Sequence, residues 1–126
     1  MELNELMVGD LVSYKSKMIC KITAICKDTA VVDNDTEQDW RIDYNKLMPI
    51  PLTAEILEKI GFWYEQNVGY VMEEYEYEII YSLWDHKLRI LKNREQILNL
   101  EYFDEMCLHE LQHALRLCGI DKEIKL

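Results

Sequence analysis

The sequence predicts an α+β fold: small N-terminal β-barrel-like strands, then a short helix, an antiparallel sheet and a C-terminal helix. Three observations predict it. Residues 7–50 hold short apolar runs separated by polar turns at roughly ten-residue spacing, the pattern of a small twisted barrel or sheet. After a helix bracketed by Thr53 and Gly61, residues 62–103 return to strand-like patterning. Residues 104–119, DEMCLHELQHALRLCG, place their apolar side chains at helical spacing.

In the first segment Gly9-Asp10 is a turn signal, and Leu11-Val12-Ser13-Tyr14 reads as a strand. A polar turn, Lys15-Ser16-Lys17, leads into a second strand over residues 18–25. A third covers residues 29–32 and stops at Asp33-Asn34-Asp35; Trp40-Arg41-Ile42 makes a fourth. Met48-Pro49-Ile50-Pro51-Leu52 is a stiff connector, because each proline forces the preceding residue into an extended conformation. It divides a β-barrel-like subdomain, residues 1–50, from an α+β subdomain, residues 51–126.

In the second segment Thr53 caps a helix over residues 54–60, and Gly61 stops it. Ile56, Leu57 and Ile60 face its core side, while Glu55 and Glu58 suit the positive end of its dipole. Gln66-Asn67-Val68-Gly69 reads as a hairpin turn. In Glu74-Tyr75-Glu76-Tyr77-Glu78 the alternation predicts a half-buried strand with tyrosines on one side and a solvated row of glutamates on the other. Residues 79–84, a turn at Asp85-His86 and residues 87–91 form a further hairpin, and residues 97–103 a last strand. Gly119 ends the final helix, and residues 123–126 form a short edge strand or a tail.

The chain has 126 residues, enough for one domain or two very small subdomains. Its net charge of −10 is uneven: residues 1–50 carry nine acids and six bases, residues 51–126 fifteen acids and eight bases. That surface opposes direct nucleic-acid binding, which needs basic groups to displace counterions, and it admits a basic protein partner. No apolar run approaches the length of a membrane span, and MELNELMVGD has no apolar signal segment, so a cytoplasmic protein with no membrane association is expected. Cys20, Cys26, Cys107 and Cys118 lack metal-site spacing and read as reduced thiols, with Cys107 and Cys118 on the buried side of the last helix. The four glycines are scattered, which excludes a glycine-rich phosphate loop; no nucleophile elbow or Cys–His pair is present.

One motif carries potential chemistry. His109-Glu110-Leu111-Gln112-His113 matches H-E-x-x-H, in which histidines one helical turn apart hold zinc and the glutamate deprotonates the metal-bound water. A helical wheel argues against it. With Leu111 at the centre of the apolar side, Cys107, Leu108, Ala114, Leu115 and Cys118 fall within about 60° of it. His109, His113 and Arg116 fall at roughly 140–200°, on the side expected to meet water. Arg116 and Gly119 stand where the extended protease pattern places Gly and a third His, and no spacing singles out His86 instead. The expectation is therefore no catalytic residue, no metal and no cofactor. The alternative is a zinc-dependent hydrolase, a metallopeptidase, with His109 and His113 as ligands and Glu110 as base. Trp40 and Tyr44 are the candidate binding surface of the barrel-like segment, against the plainer reading that both are core.

The opening VGDLVSY, the connector PIPLTAEILEKIGF, the tyrosine-rich meander and the terminal HELQHALRLCGI together resemble a family of uncharacterised proteins. They are common in Bacteroidetes genomes and in their phages and mobile elements. The likeness covers nearly the full chain and is most specific over residues 49–62 and 109–119. It implies that relatives often carry Gln at the position of Glu110 and Asn at that of His113, so that zinc chemistry is dispensable. It also implies a phage or mobile-element setting. The function expected from these readings is a non-catalytic protein-interaction protein with a protein partner.

Overall fold

The structure is a computed structural model that describes residues 6–15, 18–102 and 104–126. It is mostly β, with two antiparallel five-stranded sheets and two short helices, an α+β architecture. The chain divides into two compact units. The first comprises residues 1–50 with Cys107–His109, the second residues 51–106 with residues 110–126.

In the first unit, β1 (Leu11–Tyr14), β2 (Met18–Ile25), β3 (Thr29–Asp33) and β4 (Trp40–Asp43) form an antiparallel meander. A 3-10 turn, Tyr44–Lys46, then returns the chain so that β5 (Leu47–Met48) pairs with β1, giving the order β4-β3-β2-β1-β5. The expected turn at Lys15-Ser16-Lys17 falls partly on residues 16 and 17, outside the described residues. The Gly9-Asp10 turn forms: Gly9 takes φ +95°, and the Asp10 carboxylate accepts the Met7 N–H at 2.7 Å. The period-2 side-chain alternation places Val12, Cys20, Ile22, Ala30, Val32, Ile42 and Leu47 in one core cluster. Between Ile22 and Ala24 the β2–β3 register slips by one residue, and the Thr23 hydroxyl there donates to the Val31 carbonyl at 3.1 Å. The slip is a β-bulge, which bends the strand and helps a short sheet curl.

The second unit begins at the connector. The Thr53 hydroxyl accepts the Ile56 N–H at 3.2 Å, satisfying one of the orphan donors of α1 (Ala54–Lys59). Leu57 is fully buried, worth roughly 1.5–3 kcal/mol relative to exposure. Then β6 (Trp63–Glu65), β7 (Gly69–Glu74), β8 (Tyr77–Ser82), β9 (Lys87–Lys92) and β10 (Glu95–Glu101) follow as a simple meander, order β10-β9-β8-β7-β6. Met72, Ile79, Ile90 and Leu98 stand in one cross-strand row, and Tyr70, Tyr81, Leu88 and Leu100 in another, giving the sheet its apolar side.

Several expectations are corrected here. Residues 74–78 are not one strand: Glu74 ends β7, Tyr75 and Glu76 form the turn, and β8 starts at Tyr77. Tyr75, with φ +54°, is 91% exposed instead of half-buried. The Glu74↔Tyr77 pairing leaves only two residues for the connection, so the alternation is the tip of a hairpin. Residues 83–86 all belong to the next turn, which takes Trp84 out of its expected strand. The final strand ends at Glu101, short of its expected end: Tyr102 is not part of it, and Phe103 lies outside the described residues. Of the two alternatives for residues 123–126, the structure shows the tail and not the strand.

The last helix, α2, spans Leu108–Leu117, shorter than the expected 104–119. Its end is a left-handed cap: the Ile120 N–H donates to the Leu115 carbonyl and the Gly119 N–H to that of Arg116, with Gly119 at φ +75°.

Candidate functional site

The H-E-x-x-H segment occupies the first turns of α2, because Leu108, Leu111, Ala114 and Leu115 recur at the spacing of one helical side. Those four are buried, as the wheel predicts. His109 contradicts the wheel: it is 5% exposed instead of solvated, and Gln112 is buried with it. His113 and Glu110 are half-buried; Arg116 and Leu117 are exposed. The physical reason is that the helix is enclosed on more sides at its start than at its end, while a wheel projects every turn onto one plane. Cys107 precedes the helix, and it and Cys118 are half-buried instead of buried. Burial and then the carboxylate of Glu110 push the Tyr102 phenol above its usual range, so Glu110 stands near a phenol. Among the described residues, no three His, Cys, Asp or Glu side chains gather as a metal-holding group.

Trp40 and Tyr44 lie in the first unit. The Trp40 ring meets that of Tyr14 edge-on, centroids 5.0 Å apart, and packs against the core cluster. Tyr44 is buried in that cluster, and its backbone N–H donates to the Asp28 carbonyl at 3.1 Å. One side of Tyr44 borders a shallow cleft of about 350 Å³ together with Lys27, Asp28, Asp43 and Asn45. The two aromatic residues are therefore held mainly by the core.

A more open aromatic surface lies in the second unit, on residues that sequence patterning did not single out. The β6–β7 turn and the β8–β9 turn lie at the same end of the sheet, since β7 pairs antiparallel with β8. They border a cleft of about 490 Å³ lined by Tyr64, Asn67, Val68, Tyr70, Ser82 and Trp84, among others. Tyr64 and Tyr70 are cross-strand partners, and their rings lie 5.4 Å apart at 58°. Tyr64 is 62% exposed, and Trp84 is 94% exposed. Gly69, also in the lining, takes φ +121°, and a Cβ there would meet the Tyr81 carbonyl oxygen at 2.8 Å. None of the residues lining this cleft carries a charge. The chemistry on offer is stacking on three rings, with hydroxyl, amide and indole groups for hydrogen bonds. The missed signal was the placement of Trp84 immediately before Asp85-His86, in a turn instead of a strand.

No helix among the described residues is long and apolar enough to cross a membrane. The chain matches no protein-family model, no curated protein and no solved structure.

Proposed function

We propose that this protein is a non-catalytic, cytoplasmic protein-interaction protein, of phage or mobile-element origin as its sequence resemblance implies, which docks a partner protein through the aromatic cleft of its second unit. One observation carries the reading. Trp84, at 94% exposure, lines the same cleft as Tyr64, which stays 62% exposed although its ring meets that of Tyr70. Burying a side chain of this kind gains roughly 1.5–3 kcal/mol, which Trp84 forgoes in the free chain and recovers when covered. Tryptophan and tyrosine are also the residues on which protein interfaces most often concentrate their binding energy. The net charge of −10 sets a protein partner, in particular a basic one, ahead of nucleic acid.

Quantitative affinity capture from a lysate of the native host, with the wild-type chain and a Trp84→Ala/Tyr64→Ala double variant, tests the reading. The expected result is a partner held by the wild type and depleted roughly tenfold on the variant, with thermal unfolding lowered only by the lost Tyr64–Tyr70 pair, about 1 kcal/mol or less. A partner retained equally by both proteins, or none on either, would refute it.

A further inference from the structure

We infer that the aromatic cleft at the β6–β7 and β8–β9 turns takes a proline-rich polypeptide segment flanked by lysine or arginine. This rests on the reading of the cleft as a docking surface and names what the partner presents to it.

The geometry first narrows the ligand. The Tyr64 and Tyr70 rings, 5.4 Å apart, touch one another, so nothing slots between them. They form a bent wall instead of the open cage that encloses an alkylammonium ion. No charged side chain lines the cleft, and a chain of charge −10 repels anions, which sets phosphates and nucleotides aside. What remains is a neutral, apolar shape that lies flat on aromatic rings. Pyrrolidine rings have that shape, and proline-rich segments dock on aromatic-lined grooves in this manner.

The backbone and the ordering cost point the same way. Polyproline II has no internal hydrogen bonds, so its carbonyls are free to accept. The lining residues carry groups of the type that can donate to them: the Tyr64, Tyr70 and Ser82 hydroxyls, the Asn67 amide and the Trp84 indole. A surface cleft open to solvent contacts its ligand on one side only and yields modest energy. A ligand already extended loses little freedom on binding, so that modest energy suffices.

Charge then specifies the flanks. Exposed Asp85 follows Trp84 in the β8–β9 turn, next in the chain to the exposed indole. Glu65 lies on the other face of β6 from Tyr64, where its carboxylate accepts the Trp63 indole N–H at 3.2 Å, so it is not part of this charge pattern. Lysine or arginine next to the proline run complements Asp85 and the acid excess of residues 51–126.

The test is a titration of the full chain, followed by tryptophan emission and amide shifts, with two synthetic peptides. One carries a short proline run between arginines; the other carries glycine and serine between the same arginines. The expected result is saturable micromolar binding of the proline peptide, with shifts at Trp84 and Tyr64. Trp84→Ala and Tyr64→Ala should each weaken it roughly tenfold. Asp85→Asn should weaken it about twofold and reduce its salt dependence. Equal binding of the glycine–serine peptide would overturn the inference by showing charge alone at work. So would failure of the proline peptide to saturate, or undiminished binding by Trp84→Ala. If the proline peptide fails while partner capture still depends on Trp84 and Tyr64, the partner chemistry is wrong and the docking surface stands. If both fail, the docking surface falls as well.

Discussion

Substituting alanine at Gly69 and at Gly119 separates two costs that usually arrive together. Both glycines have positive φ: at +75° (Gly119) an L-residue pays roughly 1–2 kcal/mol of backbone strain, and at +121° (Gly69), beyond the left-handed region, at least as much. Alanine also restricts the unfolded chain, which offsets about 0.4–1 kcal/mol of that. At Gly119 a Cβ meets nothing within 4 Å, so the net cost should be about 1 kcal/mol or less. At Gly69 the Cβ would stand 2.8 Å from the Tyr81 carbonyl oxygen and 3.5 Å from the Ser82 Cα, both backbone atoms of β8 and its end. That backbone is held by the β7–β8 ladder, so the strands must part locally, adding about 1–3 kcal/mol in the manner of overpacking. Gly69→Ala should therefore cost about 2–4 kcal/mol in total. Urea unfolding followed by far-ultraviolet circular dichroism provides the assay. With a slope of about 2 kcal/mol/M, a difference of about 2 kcal/mol separates the two midpoints by about 1 M. Equal midpoints for the two variants would refute the claim that close backbone approach, and not only φ, makes residue 69 glycine.

Three further outcomes are expected. Thr53→Ala, which removes the acceptor for the Ile56 N–H, should lower stability by about 1 kcal/mol, while Thr53→Ser should restore it; equal losses for the two would remove the capping argument. His109→Ala should cost about 2 kcal/mol as the loss of a buried side chain, and zinc or a chelator should leave the melting temperature of the wild type unmoved. Tight zinc at a hundredfold excess over its Kd would instead add about 2.7 kcal/mol, a shift that would reinstate the hydrolase reading. Burial raises the Cys20 thiol above its ordinary value of 9.0, so the folded chain holds that proton more tightly than the unfolded chain does. The sign follows: stability is full below pH 9.0 and declines as pH rises from there through the folded value, so Cys20→Ala should flatten the alkaline decline. An unchanged decline in that variant would assign it elsewhere.

Local patterns determined much of this fold. Strands β1 and β2 start and end where their apolar runs do, Thr53 caps α1, and the Gly9-Asp10 turn forms, because turn chemistry and period-2 alternation act within a few residues. The same locality misled at residues 74–78. Alternation there describes a strand or a hairpin tip equally well, and only the pairing of Glu74 with Tyr77 across the turn decides. The candidate sites show the limit most plainly. A helical wheel knows the period of α2 but not how many neighbours surround its first turn, so it placed His109 in water when the fold buries it. Strand patterning could not set Trp84 beside Tyr64, twenty residues earlier in the chain, because their meeting depends on the register of the β7–β8 pair between them. The sequence by itself determined most of the strand and helix segments, the acidity of the chain and the absence of a third zinc ligand at the expected spacing. Only the tertiary structure decided which side chains are enclosed and which aromatic rings share a cleft, since enclosure is set by residues distant in the chain and periodicity reports only near ones.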